Sequence, residues 1–202
     1  MRLVLASASP ARLATLRSAG LDPEVVVSGV DESVVTAPTP AELTGELARL
    51  KAEAVLLGLS PSADARPTLV VGCDSMLELD GRAYGKPGHA AAAAARLKTM
   101  RGRSGVLHTG HHVVLRRPDG EQRRTAVGST TVHFGPMTDA EVDAYVATGE
   151  PLAVAGSFTI DGLGGAFVER IEGDHHNVVG ISLPLLRRLL AELGVGWPDL
   201  WS

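Results

Sequence analysis

Leu3-Val4-Leu5-Ala6-Ser7-Ala8-Ser9-Pro10-Ala11-Arg12 passes from an apolar run into two spaced serines, a proline and a cation. The run at 3–5 predicts a short strand. Ser9 before Pro10 predicts a helix start, with Ser9 as N-cap and Pro10 at the first helical position, and an end near Gly20. A strand feeding directly into a helix is the repeating unit of α/β folds, and the rest of the chain continues it. A second strand is expected over 25–27, before a loop carrying Asp31 and Glu32. Over 41–57, Leu43, Leu47, Leu50, Ala54 and Leu57 recur on one helical face. Residues 60–67, rich in Pro, Ser and Ala, read as a loop into a buried strand over 69–73 that ends on Asp74. Six consecutive alanines make 89–100 a helix. Pro118-Asp119-Gly120, between apolar segments at 106–115 and 125–134, signals a hairpin. Residues 138–148 begin like a capped helix, 156–165 hold four glycines and read as loop, and 182–193 form the last helix, stopped by Gly194.

A length of 202 residues fits one domain, or one domain whose two lobes share a core, and no linker is long enough to separate two. Apolar residues at 45% allow a packed interior and exclude a disordered chain. A net charge of −4 argues against a general binder of nucleic-acid polymers or anionic membranes. The N-terminal apolar run is too short for a signal peptide, and no window reaches the roughly 18 apolar residues of a membrane span, so a cytoplasmic protein is expected. Cys73 is the only cysteine, which excludes a disulfide framework and a cysteine-rich metal site. Against 16 arginines stand three lysines, Lys51, Lys86 and Lys98. A coding bias towards Arg accounts for the ratio, but a compact ammonium is not interchangeable with a guanidinium.

Three constellations could carry chemistry. Free amides at the helix start, beside Ser7 and Ser9, form an anion site. Arg12 adds to it, because a cation in the first helical turn opposes the macrodipole by ~0.3–1 kcal/mol unless an anion sits there too. The same residues equally suit a plain Ser-Pro helix start with Arg12 solvated. Asp74, closing an apolar strand, stands where α/β proteins place metal ligands and general bases, or it caps a turn. With Glu32 it would make two carboxylates suited to Mg²⁺ or Mn²⁺, phosphate oxygens completing the shell. Lys51 falls at the rim of its helix's apolar face, roughly 80° from its centre, placed to snorkel or to point into a cleft. Lys86 precedes Pro87 and is therefore expected to be extended. Both also suit ordinary surface positions. A competing set is His108, His111, His112, His175 and His176. In a strand, however, His111 and His112 point to opposite faces and cannot easily share a metal.

Taken in order, Leu5-Ala6-Ser7-Ala8-Ser9-Pro10, Asp31-Glu32, Leu47-Ala48-Arg49-Leu50-Lys51-Ala52, Gly72-Cys73-Asp74-Ser75 and Gly85-Lys86-Pro87 resemble the Maf family of nucleoside-triphosphate pyrophosphatases. The resemblance continues through Thr109-Gly110, the stretch from Tyr145 to Leu152, Ala155-Gly156-Ser157-Phe158, Ile160-Asp161-Gly162-Leu163-Gly164-Gly165 and Asn177-Val178-Val179-Gly180. It implies an α/β fold like that of inosine-triphosphate pyrophosphatases, with a long twisted mixed sheet, flanking helices and a cleft between two lobes. It implies hydrolysis of the α–β phosphoanhydride with a divalent cation, Mg²⁺ or Mn²⁺, and a homodimer. The family is also known as septum-formation inhibitors, which links it to cell division. By position, Asp74 is the catalytic acid/base and a metal ligand with Glu32, while Ser7, Ser9, Arg12, Lys51 and Lys86 hold the triphosphate.

Two positions depart from the family pattern. Ala11 stands where many members have a first Arg of Ser-Pro-Arg-Arg. It is the one feature favouring a different reading, a nucleotide-binding regulator of septum formation acting through a partner. Asp161 stands where dTTP/UTP-hydrolysing members have Gln. An ionised Asp only accepts hydrogen bonds, so it suits the N–H edge of guanine or the amino group of cytosine rather than the carbonyls of uracil or thymine. It equally suits capping of the loop beside Gly162.

Overall fold

The computed structural model describes residues 1–60 and 66–201. The expected loop at 60–67 therefore lies in part, at 61–65, outside the described residues. Strand β1 (Arg2–Ala6) leads into helix α1 (Pro10–Ser18), with Ser9 as N-cap. A two-residue strand, β2 (Glu24–Val25), replaces the one expected at 25–27. Helix α2 (Pro40–Gly58) starts with a capping box between Thr39 and Glu42. Strand β3 (Thr68–Leu79) is followed by β4 (Arg82–Tyr84) and helix α3 (Ala90–Met100), and then by the hairpin of β5 (Ser104–Arg117) and β6 (Gly120–Phe134). Helix α4 (Asp139–Ala147), strand β7 (Val168–Glu172), the short helix α5 (His175–Val179) and helix α6 (Leu183–Glu192) complete the order. Strands β4 and β7 and helix α5 are too short or too polar to stand out in the sequence.

The seven strands form one mixed sheet in the order β2-β1-β3-β5-β6-β7, with β4 also on β3. β1 runs parallel to β2 and β3, and every other pair is antiparallel. β3 is the spine. Along one edge β5 pairs it continuously from Thr68 to Glu78. Along the other edge β1 covers Thr68–Gly72 and β4 covers Leu77–Leu79, so residues 73–76 have no strand beside them. β3 thus does not end on Asp74. The apolar run stops there, but the ladders with β5 and β4 carry the strand on for five more residues, with Asp74 in its middle.

Apolar packing is divided along these long strands. At one end, Leu5, Leu16, Val71 and Ile181 pack under α1 and α6, and on the opposite face Val4, Ala52, Val55, Val70 and Val114 pack under α2. At the other end, Leu77, Met100, Leu107, Val132 and Phe158 form a separate cluster, extended by Leu97, Val142 and Tyr145 of α3 and α4. Asp74 lies on β3 where the first pair of clusters gives way to the second.

Candidate active site

Helix α2 lies unusually close to the sheet at two glycines. A Cβ at Gly72 would meet the Ala48 carbonyl and the Ala52 backbone, and one at Gly110 would meet the Thr44 carbonyl and the Gly45 amide. Gly110 is directly opposite Asp74 in the β3–β5 ladder. The buried face of α2 is accordingly Thr44, Gly45, Leu47, Ala48, Lys51, Ala52, Val55 and Leu56. This corrects the expected face: Leu57 is 84% exposed, and Lys51 sits within the contact rather than at its rim.

Lys51 reaches down from this close contact. Its Nζ donates to Asp74 Oδ1 at 2.5 Å and pairs with Glu32 Oε1 at 2.7 Å. The Lys51 and Asp74 side chains are 11% and 9% exposed, whereas Glu32 is half exposed on its turn. Burial is the dominant influence on Asp74 and raises its carboxyl above the usual carboxylate range; Lys51 and Arg12 pull against it. Two carboxylates converging on one point of positive charge, with oxygen donors only, fit a hard divalent cation whose remaining ligands are phosphate and water oxygens. Among the described residues no group of three or more His, Cys, Asp or Glu is arranged to hold a metal.

The α1 N-terminus faces the uncovered edge of β3. Ser7 Oγ accepts from the Ser9 amide at 3.2 Å, and Ser9 Oγ accepts from the Arg12 amide at 3.4 Å. The Arg12 side chain turns inward: it is 8% exposed and spends four of its five N–H groups on protein. Nε donates to Gly180 O at 2.7 Å, Nη1 to Ser7 Oγ and Cys73 O at 2.9 Å each, and Nη2 to Ser75 Oγ at 2.9 Å.

Ser7, Ser9, Arg12, Glu32, Lys51 and Asp74 are therefore brought together. Lys86 is exposed and makes no hydrogen bond or ion pair among the described residues. It lies two residues past Tyr84, the last residue of β4 paired with β3, on the path leading back towards Ser75 and Asp74. Asp161 is exposed and, with Ala11, Thr15, His175, His176 and Leu183, lines a cavity of about 300 Å³ beside the first turns of α1.

Two sets of residues were quoted in the sequence reading but given no role there. Ser75 and Thr109 share a hydrogen bond of 2.9 Å behind Asp74, and their direct opposition in the ladder is a register fact that no local pattern reports. Glu150 organises the loop bearing Asp161. It accepts from Tyr145 OH at 2.9 Å, from the Leu163 and Gly164 amides at 3.1 Å each, and from Thr159 Oγ1. Its place just after Gly149, in a turn, was the available signal.

His111 and His112 are spent on structure. His111 and His112 do point to opposite faces: His111 Nε2 accepts the Ser182 amide at 2.8 Å, while His112 meets Thr125 and Glu53. Burial pushes the His111 pKa down to about 4 and the Cys73 thiol up to about 11, which keeps both neutral near pH 7.

A mixed α/β sheet whose central strand is left open around a buried lysine–carboxylate centre defines the class of protein. Residues 2–193 match the Maf-like protein family, and the chain belongs to that family. A relative from Salinispora tropica named nucleoside triphosphate pyrophosphatase is 62% identical over 202 residues, covering all of this chain and 88% of its own. Relatives of the same name from Streptomyces coelicolor and Cutibacterium acnes are 58% and 53% identical, covering 100% and 98% of this chain and 95% and 94% of theirs. Among solved structures, the Staphylococcus aureus Ham1 protein aligns with a TM-score of 0.43 at 14% identity, covering 100% of this chain and 94% of that one. No helix among the described residues is long and apolar enough to cross a membrane.

Proposed function

We propose that this chain hydrolyses nucleoside triphosphates between the α and β phosphates, releasing a nucleoside monophosphate and pyrophosphate, as its relatives' shared name suggests. The observation that carries the proposal is the meeting of Asp74, Lys51 and Glu32 beside the α1 N-terminus, at the one stretch of β3 with no neighbouring strand on that edge. A polyphosphate needs positive charge and amide donors to balance its oxygens, and a carboxylate to orient water. Asp74 Oδ1 is engaged by Lys51, so Oδ2 is the atom that takes the attacking water and its proton. Lys51 holds that carboxylate in place and balances charge as the α-phosphate is attacked. Ser7, Ser9 and the Ala11 amide in the first turn of α1 bind phosphate oxygens, and Lys86 reaches the leaving pyrophosphate from the β4 side. Glu32 and Asp74 would hold Mg²⁺ or Mn²⁺, which supplies charge neutralisation of the phosphates when bound.

The test is pyrophosphate release from a panel of common, deoxy, 7-methylated and other modified triphosphates with Mg²⁺ or Mn²⁺. Release from a few of them, lowered about 100-fold or more by Asp74→Asn, is the expected outcome. Thermal protection by a triphosphate without any release would replace the enzyme with the nucleotide-binding regulator.

A further inference from the structure

Asp74 carries its carboxylate on the α2 face of β3, and the residues on either side of it are gripped from elsewhere. The Cys73 carbonyl lies on the edge that neither β1 nor β4 covers, and Arg12 Nη1 satisfies it at 2.9 Å. Ser75 projects to the opposite face from Asp74, and its Oγ accepts from Arg12 Nη2 at 2.9 Å. Thr109 Oγ1 spends its only proton on the Asn177 carbonyl at 2.8 Å, so in its 2.9 Å hydrogen bond with Ser75 Oγ the serine is the donor. The hydrogen bonds run in one direction, from Arg12 through Ser75 and Thr109 to Asn177. They tie the backbone around Asp74 to helix α5.

We infer that Arg12 is a positioning residue for Asp74, fixing the strand on both sides of the carboxylate, and not a ligand of the triphosphate. Three observations support this. Four of the five guanidinium donors are committed to protein oxygens, and the side chain is 8% exposed. The fit is tight at the far end too: a Cβ at Gly180 would lie 3.2 Å from Arg12 Nε, and its φ of +126° is strained for any other residue. Finally, the planar fork is required. The four acceptors are met from three separate guanidinium nitrogens, and a lysine, with its donors on a single nitrogen, could not meet them all.

The inference rests on the hydrolytic reading, and steady-state kinetics with the best triphosphate of the wild-type protein separates the two. Absence of turnover in wild type overturns the hydrolytic reading and this inference with it. Given turnover, Arg12→Lys and Ser75→Ala are each expected to lower kcat about 10–100-fold while KM moves less than about threefold. Ser75→Thr, which keeps the hydroxyl, is expected to restore most of kcat. The double variant Arg12→Lys/Ser75→Ala is expected to be little worse than either single one, because both break the same connection. A tenfold or larger rise in KM for Arg12→Lys, with kcat kept, is the signature of a phosphate ligand and overturns the inference. So does unchanged kcat in Ser75→Ala, a variant that deletes only a hydroxyl and remains informative if the Arg12 variant does not fold.

Discussion

Gly110 stands opposite Asp74 in the β3–β5 ladder and beneath the Thr44 carbonyl of α2, so the absence of a side chain on one strand sets the height of the helix above the carboxylate on the next. Gly110→Ala has no room: its Cβ would meet the Thr44 carbonyl and lie 2.7 Å from the Gly45 amide, both backbone. Lifting α2 draws Lys51 away from Asp74. The expected outcome is a loss of about 1–3 kcal/mol, seen as a fall in Tm of roughly 2–12 °C, together with reduced turnover. Normal activity at normal Tm would show that the helix can yield without moving Lys51.

Removing Lys51 strands a buried carboxylate. Lys51→Met is expected to destabilise the fold by about 3 kcal/mol or more, since truncating one partner of a buried pair leaves the other charge uncompensated. Adding Asp74→Asn to Lys51→Met removes that charge and is expected to recover part of the loss. Urea unfolding of the two single variants and the double one checks this; equal stability of Lys51→Met and wild type would contradict it.

His111 makes stability depend on pH. Unfolded, its imidazole takes up a proton near pH 6.5; folded, only near pH 4. Between those values the unfolded chain holds more protons, so stability rises with pH. The contribution is fully present above about pH 6.5 and is lost as pH falls towards 4, amounting to roughly 3 kcal/mol. His111→Gln can still accept the Ser182 amide but does not titrate. Its urea midpoint is therefore expected to fall less than that of wild type across the same window.

Glu150 holds the loop that carries Asp161. Glu150→Gln trades an acceptor-only carboxylate for a group whose NH₂ faces donors. The Leu163 and Gly164 amides are expected to exchange their hydrogens about tenfold faster or more, while the β3–β5 ladder keeps its protection. Hydrogen exchange read peptide by peptide distinguishes a local release from general loosening.

At Asp161 itself the prediction concerns substrate. If this carboxylate reads the base, Asp161→Gln gains a donor and shifts preference towards uracil and thymine triphosphates. An unchanged profile across the triphosphate panel would mean that Asp161 only shapes its loop.

Much of the architecture was legible because it rests on local chemistry. Ser9-Pro10, Thr138 and Ser182 mark the helix starts where the structure has them, and Pro118-Asp119-Gly120 turns the hairpin. What the sequence concealed was contact between backbones. The spacing of α2 pointed to Leu43, Leu47, Leu50, Ala54 and Leu57; Leu47 is fully buried, yet the helix is seated mainly on Thr44, Gly45, Ala48 and Ala52, residues chosen for being small. Small residues carry little hydropathy, so a helix that must approach a glycine closely is misread by any apolar periodicity. Arg12 shows the same limit. Its position in the first turn suggested a role towards an incoming anion, and only the tertiary fold reveals the carbonyls already waiting for it.

The bare stretch of β3 between β1 and β4 also bears on how this sheet avoids unwanted company. An open strand edge invites pairing by a foreign chain, and proteins ordinarily shield it with charge, brevity or a covering element. Here the opening spans only residues 73–76, closed at both ends by native strands, with the Cys73 carbonyl already taken by a guanidinium. Four residues give a stranger too few rungs to climb. The interruption is therefore shut to another polypeptide by its shortness alone.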